Sequence, residues 1–296
     1  LLVFLICFFP LFFYLTRNKN NYLFVYLLTS LPLLVISLFN LDNKIILRIS
    51  GKVRLSYIRK FIFFISKKKI KRVLIQTLES KNRFLKNKIF DKKSLSLIRD
   101  PIIDHKKIDL LKNEKIEKKF LKKRYFVSIG RLTYQKNFLF LVKCIKKIIR
   151  YEKNYNFLIL GEGKEQKKIQ EYISRFGLTK YIILVGYKKN IFKYIKNSIG
   201  LICTSLWEEP GFIIQEAAAC RKIILTSDCY TGPSEFLENG KNGYVFKNNN
   251  QKSFEKSFKK LLLEKKYHLK KINRSYGKTK FYSPEFFLKE IKKILS

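Results

Sequence analysis

Two loops of this 296-residue chain gather residue types that could bind a ligand carrying both charge and hydroxyl groups. The first loop has the sequence GRLTYQKN, at 130–137. Gly130 permits a tight turn, and Arg131 and Lys136 can approach one anion, because an arginine fork suits phosphate oxygens and a lysine supplies a point charge. In a chain with 63 Lys and Arg residues the same two cations could equally be surface charges, so this loop alone leaves both interpretations open.

The second loop and the start of the helix predicted after it have the sequence SLWEEPGFIIQEA, at 205–217. Glu208 lies in the Pro/Gly-containing loop and Glu216 near the first turn of the helix, while Gly211 lets a ligand approach the backbone. The first free amides of the helix would face an anion and be assisted by the helix dipole; they belong to Phe212, Ile213 and Ile214. One loop can therefore offer a carboxylate to a sugar, amides to a diphosphate and a carboxylate to a ribose.

The elements around these loops alternate between apolar strands and amphipathic helices. Strands are predicted at 125–129, 156–160, 182–185, 200–203 and 222–225. Helices are predicted at 137–150, 164–176, 191–196, 213–220 and 284–295. Repeated strand–helix units predict right-handed crossovers and a parallel sheet that binds ligands at the carboxyl ends of its strands, where both loops lie.

The first hundred residues contain a second alternating region. Strands are predicted at 44–49, 72–76 and 94–98, and helices at 56–69 and 77–87. The apolar stretch 22–39 approaches the length of a membrane span, but polar residues and a proline interrupt it, and 22–28 reads as a buried strand. A strand followed by a helix is therefore the favoured prediction, with a membrane-spanning helix as the alternative.

Composition argues against several classes of protein. The formal net charge is +41, but the lysines are spread over the whole length, which indicates solvated surfaces rather than a nucleic-acid-binding arm. The five cysteines are odd in number and form no CxxC pair, which argues against a disulfide framework or zinc site and predicts a reduced, cytoplasmic protein. The absence of methionine predicts that the chain lacks its natural N-terminus.

The stretch 124–246 resembles the donor-binding domain of retaining nucleotide-sugar glycosyltransferases of glycosyltransferase family 4, which have the GT-B fold. The GRLTYQKN loop is similar to the phosphate-binding loop of that family, and Glu208 and Glu216 match its E-x7-E motif. Other matching segments follow in the expected order: GEG at 161–163, VGY at 185–187, SD at 227–228, GPSE at 232–235 and GKNGYVF at 240–246. Residues 22–103 resemble the second part of the N-terminal domain more loosely, and its opening strand, glycine-rich loop and usual histidine are not identifiable.

The resemblance implies an α/β protein with two Rossmann-like parallel-sheet domains facing a cleft, the N-terminal one incomplete. The acceptor-side domain would cover 1–107 and the donor-binding domain 124–282. The charge-dense segment 108–123 would be the linker, and 283–296 a helix that packs back toward the N-terminal domain.

The resemblance further implies transfer of a hexose-type sugar from a nucleotide diphosphate sugar to a hydroxyl, with retention of anomeric configuration. Arg131, Lys136 and Glu208 would be the catalytic residues, with Glu208 at the hexose and Glu216 at the ribose. The base would be held by backbone near Tyr187. The remaining donor-binding residues would be Gly130, Gly161, Gly186, Gly211, Phe212, Ile213 and Ile214. No DxD motif occurs in the donor half, so no metal and no other cofactor is expected.

The implied partners are the nucleotide-sugar donor and a glycan or lipid-linked acceptor, as in bacterial cell-surface polysaccharide, lipopolysaccharide or capsule synthesis. The helix at 56–69 joins an apolar face to a basic rim, so it could place the protein peripherally on the inner face of the plasma membrane; alternatively it is an ordinary helix covering the sheet. Three other functions stay open: a non-catalytic GT-B protein that binds a nucleotide sugar, a GT-B epimerase or phosphorylase, and a basic nucleic-acid-binding protein, although no nucleic-acid partner is expected.

Overall fold

Each of the two units of this chain is built around a parallel β-sheet. The computed structural model describes residues 2–26, 30–50, 55–121, 123–208 and 210–295. The first unit comprises 1–99 with 290–296, and the second comprises 100–289. Both candidate loops therefore belong to the second unit.

The first unit has a four-stranded sheet in the order β1-β2-β3-β4, and every neighbouring pair is parallel. The strands are β1 (Tyr22–Val25), β2 (Lys44–Ile49), β3 (Ile70–Ile75) and β4 (Leu95–Leu97). The helices are α1 (Leu2–Arg17), α2 (Ser30–Leu38), α3 (Tyr57–Ser66) and α4 (Leu78–Lys86). All residues of β2 after Lys44 are buried, as expected for a central strand of an α/β sheet that is covered on both faces.

The apolar stretch 22–39 forms a strand and a helix, as the favoured prediction had it. Its strand, β1, pairs with β2, and its helix, α2, buries Leu33, Val35 and Ile36 in the core of the first unit. The predicted strand continued to residue 28, but residues 27–29 lie outside the described part of the chain. Within the described residues, no helix combines the length and the apolar character that crossing a membrane requires.

The second unit has a six-stranded parallel sheet. Its strands are β5 (Tyr125–Ile129), β6 (Asn156–Leu160), β7 (Ile182–Gly186), β8 (Gly200–Cys203), β9 (Ile223–Ser227) and β10 (Tyr244–Phe246). Its helices are α5 (His105–Lys112), α6 (Lys118–Leu121), α7 (Phe138–Ile148), α8 (Gln166–Arg175), α9 (Phe192–Asn197), α10 (Phe212–Ala219), α11 (Pro233–Phe236), α12 (Gln251–Leu263), α13 (His268–Lys278) and the beginning of α14 (Pro284–Leu295).

The order of the second sheet, β10-β9-β8-β5-β6-β7, places β5 and β8 side by side although two strands separate them in sequence. The strand order reverses direction at this pair, which makes a crevice at the carboxyl ends of the two strands. The loop that follows β5 contains GRLTYQKN, and the loop that follows β8 contains Glu208. The sheet order therefore brings the two candidate loops to the same edge.

The segment 108–123, predicted as an interdomain linker, instead contributes to the core of the second unit. It contains the end of α5 and all of α6, and its apolar residues Ile108, Ile116 and Phe120 are buried in the cluster beneath α9 and α10. The carboxylate of Glu117 adds a polar contact, since it accepts from the Tyr194 hydroxyl and pairs with Lys188 at 3.0 Å. Most other charged side chains of the segment are exposed, so they remain hydrated while the apolar residues are buried. The sequence predicted a linker because the segment is rich in charge and its few apolar residues form no strong apolar face.

The predicted strand bounds agree closely with the structure. Four predicted strands have the bounds observed, namely β2, β5, β6 and β8. Helices α12 and α13 and strand β10 were not predicted as such; β10 has only three residues, too few for a periodic signal.

Candidate active site

The loop after β5 lies against the loop after β6 because glycines occupy their closest points. Gly161 has φ +134°, and a Cβ atom there would lie 2.0 Å from the carbonyl oxygen of Gly130. The Gly161 amide donates to the Gly186 carbonyl at 2.9 Å, and the Gly130 amide donates to the Leu160 carbonyl at 3.0 Å. Three predicted donor-binding glycines, from the ends of β5, β6 and β7, are thus brought together.

Gly130 also makes room for Lys136. A Cβ atom on Gly130 would lie 3.2 Å from both Cδ and Cε of Lys136, so the lysine stem lies directly against the glycine backbone. Any larger residue at 130 would push the stem away. The predicted role of Gly130 in a tight turn therefore includes guiding the lysine side chain.

Lys136 forms an ion pair with Glu208 across 72 residues of sequence, with 2.5 Å between Nζ and Oε1. Both side chains are largely buried, with 17% of the lysine and 6% of the glutamate exposed. The Ser205 hydroxyl donates to the same Oε1 at 2.6 Å. Two predicted catalytic residues are therefore in contact, and the carboxylate is held from two sides.

The backbone of Glu208 is fixed as firmly as its side chain. Its amide donates to the Tyr230 carbonyl at 2.8 Å, and its carbonyl accepts from the Thr231 amide at 2.9 Å. The Ser227 hydroxyl donates to the carbonyl of Ser205 at 2.7 Å, which supports the residue that holds Glu208. The sequence prediction missed Ser205 and Thr231; Ser205 lies three positions before Glu208 in the same quoted segment.

Three further contacts join the loop after β5 to the loop after β8. The Leu206 amide donates to the Gln135 carbonyl at 2.8 Å, and the Gln135 side-chain amide donates to the Trp207 carbonyl at 3.0 Å. The rings of Tyr134 and Trp207 lie 6.1 Å apart between centroids. These contacts keep Lys136 and Glu208 in register, and only the tertiary structure reveals them.

The start of α10 supplies fewer free amides than the sequence predicted. Gly211, with φ +81°, precedes the helix, and its α-carbon lies against the Glu208 side chain, where a Cβ would be 3.2 Å from Cβ and Cγ. The Ile214 amide donates to the Gly211 carbonyl at 2.9 Å, which corrects the prediction that this amide is free. The tight first turn causes this, because an i to i−3 bond closes it. For Phe212 and Ile213, no acceptor is found among the described residues.

Glu216 lies one turn further along α10 in a half-buried position. Burial raises the pKa of its carboxyl group to about 7, although the nearby charge of Lys136 acts in the opposite direction. Near neutral pH this group therefore exists in both protonation states. It can act as a hydrogen-bond donor or acceptor toward a hydroxylated ligand.

Tyr187 and Arg131 differ from the other predicted residues. The Tyr187 amide donates to Oε1 of Glu162 at 3.2 Å, so this part of the backbone is already engaged, and the sequence prediction gave Glu162 no role of its own. Arg131 is exposed, and within the described residues its guanidinium makes no hydrogen bond or ion pair. Of the two predicted cations, only Lys136 is joined to the other site residues.

The segment that contains this site resembles known proteins. The family model "Glycosyl transferases group 1" matches residues 111–278, which is more than half of the chain and includes every site residue above. An uncharacterized glycosyltransferase of Methanocaldococcus jannaschii is 32% identical over 169 residues, which is 56% of this chain and 41% of the relative. The amylovoran biosynthesis glycosyltransferase AmsD of Erwinia amylovora is 27% identical over 175 residues, which is 59% of this chain and 49% of AmsD. The chain thus spans less than half the length of these curated relatives.

Among solved structures, Anabaena Alr3699/HepE in complex with UDP superposes with a TM-score of 0.78 at 15% identity. The match covers 97% of this chain and 82% of the Anabaena chain. At this identity the likeness concerns the fold, which is the GT-B arrangement of two parallel-sheet α/β domains.

Proposed function

This chain belongs to the glycosyl transferases group 1 family, and from that premise we propose that it moves a hexose-type sugar from a nucleotide diphosphate sugar to an acceptor hydroxyl with retention. The observation that supports this most is the Lys136–Glu208 pair beside the start of α10. It combines a cation and a helix N-terminus, which can bind phosphates, with a fixed carboxylate, which can accept hydrogen bonds from sugar hydroxyls.

In the proposed reaction, the bond between the anomeric carbon and the β-phosphate oxygen breaks, and the oxygen of the acceptor hydroxyl forms its bond to the same carbon on the same face of the sugar. The hydroxyl proton passes to an oxygen of the departing diphosphate, on which negative charge grows. Lys136 and Arg131 stabilise that charge, together with the amides of Phe212 and Ile213. The donor phosphate would draw the ammonium group of Lys136 away from Glu208. The carboxylate, still held by Ser205, would then accept hydrogen bonds from hydroxyls of the hexose.

Glu216 is proposed to bind the ribose hydroxyls, and its position one turn into α10 supports this role. A bound ribose would donate hydrogen bonds to the charged form of the carboxylate and so favour its ionisation. The base is proposed to lie near Tyr187, where the Glu162 side chain already orders the backbone.

The reaction is proposed to need no divalent metal ion. The leaving diphosphate would be neutralised by two protein cations and the dipole of α10, which can replace a metal in this role. The proposal rests on these residues and on the absence of a DxD motif from the donor half.

The donor and acceptor classes are proposed from relatives. The Anabaena structure contains UDP, and AmsD is named for amylovoran biosynthesis, so we propose a UDP-sugar donor and a glycan or lipid-linked acceptor in bacterial surface-polysaccharide synthesis.

A donor screen tests the proposal. Thermal unfolding is followed with UDP-, GDP- and dTDP-sugars, because a ligand that binds only the folded state raises Tm by mass action. We expect a UDP-sugar to raise Tm in the parent protein and in Lys143→Ala, an exposed lysine of α7, but not in Lys136→Ala. Product analysis by mass spectrometry then detects transfer. Binding without transfer to any glycan or lipid-linked acceptor would support the non-catalytic alternative.

A further inference from the structure

The outward side of α3 carries large apolar side chains that the first unit leaves in solvent. Tyr57, Phe61 and Phe64 are spaced i, i+4 and i+7, which places them in one stripe along the helix. They are 92%, 62% and 76% exposed, and the adjacent Ile58 is 74% exposed. These four residues are called the α3 stripe below. A contiguous exposed apolar surface of this kind marks an interaction site rather than ordinary scatter.

The fold does not need the α3 stripe, because α3 is anchored by its other side. Ile62 and Phe63 are buried there, and the Phe63 ring lies 5.1 Å from the Phe90 ring between centroids. The Ser66 hydroxyl donates to the Leu33 carbonyl at 3.3 Å, and Ser56 caps the start of the helix by accepting from the Arg59 amide. The inner side therefore fixes the helix, and the stripe is available for a partner.

A groove of about 430 Å³ runs beside the stripe. Its apolar lining includes Phe61, Phe64 and Ile89. Its cationic lining consists of Lys60, Lys67 and Lys88. Lys67 forms an ion pair with Asp91, with 3.0 Å between Nζ and Oδ2. Lys60 and Lys88 have no carboxylate partner among the described residues. The groove thus offers apolar walls and unneutralised positive charge at the same place.

The surroundings of the groove are strongly positive. The segment 55–93 contains thirteen Lys and Arg residues and two carboxylates, those of Glu79 and Asp91. A surface that joins exposed aromatic rings to a basic rim is complementary to a bilayer with anionic headgroups, where the rings enter the interface and the lysines meet phosphates. A second copy of this chain would bring an equally basic surface and be repelled.

We propose that the α3 stripe and its groove dock the protein on an anionic lipid bilayer. Tyr57, Phe61 and Phe64 enter the headgroup and acyl boundary, while Lys60 and Lys88 bind lipid phosphates. The contact is peripheral and reversible, and it depends on salt because part of it is electrostatic. It would hold the protein at the surface where a lipid-linked acceptor is found, but the docking itself does not rest on the transferase activity.

The test is co-sedimentation with vesicles of phosphatidylcholine containing about one-third phosphatidylglycerol, in the absence of any nucleotide sugar. The parent protein is expected to bind these vesicles and not to bind vesicles of phosphatidylcholine alone. The double variant Phe61→Ser/Phe64→Ser is expected to lower the partition coefficient at least about tenfold, because two interfacial rings are lost. Lys60→Gln/Lys88→Gln is expected to lower it by a similar factor.

Matched controls separate this surface from the general positive charge of the chain. Leu263→Ser/Leu269→Ser removes two apolar residues of similar exposure from α12 and α13. Lys252→Gln/Lys256→Gln removes two exposed charges from α12. Both controls are expected to bind like the parent, and circular dichroism with thermal unfolding checks that all variants are folded.

Three results would overturn the proposal. The first is an absence of binding to the anionic vesicles by the folded parent protein. The second is an equal loss of binding in the controls and the α3 variants, which would indicate unspecific charge attraction. The third is a dimer in analytical ultracentrifugation that Phe61→Ser/Phe64→Ser dissociates, since the stripe would then serve a second copy.

Discussion

Glu208 is held by several contacts of the candidate active site. Its carboxylate is bound by Lys136 and Ser205, its backbone is bound on both sides, and Gly211 packs against its stem. Because both charges of the Lys136 pair are largely buried, removing one partner leaves the other without compensation. Among the described residues, the site therefore has one tightly held pair, Lys136 and Glu208, and Arg131 as a cation without a partner.

Glu208→Ala and Arg131→Ala are both expected to lose activity, but only Glu208→Ala is expected to lose stability. Each should lower kcat/KM for sugar transfer at least about 100-fold, the usual loss for one preorganised charge contact. Glu208→Ala should also lower the free energy of unfolding by about 1–3 kcal/mol, since the Lys136 ammonium group loses its partner. Arg131→Ala should leave it within about 0.5 kcal/mol, because the arginine is exposed. Steady-state kinetics and urea unfolding measure both quantities.

The control for these variants is Glu171→Ala, which removes an exposed carboxylate from α8. It should change neither quantity. Turnover close to that of the parent in both Glu208→Ala and Arg131→Ala would contradict the catalytic assignment.

The raised pKa of Glu216 predicts a pH-dependent effect of Glu216→Gln. The folded pKa is about 7 against an ordinary value of 4.5, so between these values the folded state keeps a proton that the unfolded state releases. The contribution of Glu216 to stability is therefore lost as pH rises through this window. The neutral glutamine avoids that loss, and Glu216→Gln should raise Tm by roughly 2–4 °C at about pH 8 and leave it unchanged at about pH 4.

Differential scanning calorimetry at both pH values checks this prediction. The same variant should weaken nucleotide binding, because the proposed ribose contact loses a charged acceptor. A Tm increase of equal size at both pH values would show that burial of the charge is not the cause.

At the element scale, the site is assembled by the ends of parallel strands. Gly161, at the end of β6, permits a backbone approach to Gly130 that a side chain would block, and Gly130, at the end of β5, leaves room for the Lys136 stem. Helix α10 begins where the loop after β8 returns to the sheet. The positions of Lys136 and Glu208 depend on these approaches. Loop geometry is therefore expected to control donor binding as strongly as the charged residues do.

Gly161→Ala tests this dependence. The added Cβ would lie 2.0 Å from the Gly130 carbonyl oxygen, so the loops after β5 and β6 must separate. We expect a loss of stability of about 1–3 kcal/mol and a loss of nucleotide binding. Gly240→Ala is the matched control, because Gly240 also has a positive φ, +102°, but open space around its Cβ position.

Isothermal titration with the nucleotide and urea unfolding distinguish the two glycines. Gly240→Ala should lose only the stability that backbone strain at a positive φ costs, and it should bind the nucleotide like the parent protein. If Gly161→Ala and Gly240→Ala behave alike, strain rather than loop contact would explain the effect.

At the scale of the whole molecule, the net charge of +41 has no single explanation. Lysines are spread over both units. In the two proposals, only Arg131 and Lys136 at the site and the lysines of the groove beside α3 have a function. The rest keeps the surface solvated. The family membership concerns the second unit above all, because the matched segment is 111–278.

The proposal of a metal-free reaction is tested on the whole protein. Transfer measured with excess EDTA should stay within about twofold of the untreated rate, because protein cations and the α10 dipole stabilise the leaving group. Added Mg²⁺ or Mn²⁺ should not raise the rate by more than this factor. Complete loss with EDTA and recovery with Mn²⁺ would show that a metal ion takes part.

The sequence by itself determined the strands and the loops that could carry chemistry. The apolar runs that became β5, β6 and β8 and the segments containing Lys136 and Glu208 are local patterns, and each can be read without knowing its neighbours. It also indicated the order of the glycines at the strand ends. Local patterns indicate these features because backbone preference depends largely on nearby residues, and the period of the apolar positions shows which face must be covered.

Only the tertiary structure decided which of these residues meet. Lys136 and Glu208 are 72 residues apart, and they pair because β8 lies next to β5 in the sheet, an order that no periodicity encodes. The same holds for the bond of Glu162 to the Tyr187 amide and for the anchoring of 108–123 in the core. Even within the first turn of α10, the sequence predicted a free Ile214 amide, whereas the structure shows that it donates to the Gly211 carbonyl. Contacts between distant segments depend on packing of the whole sheet, which a single sequence specifies only collectively.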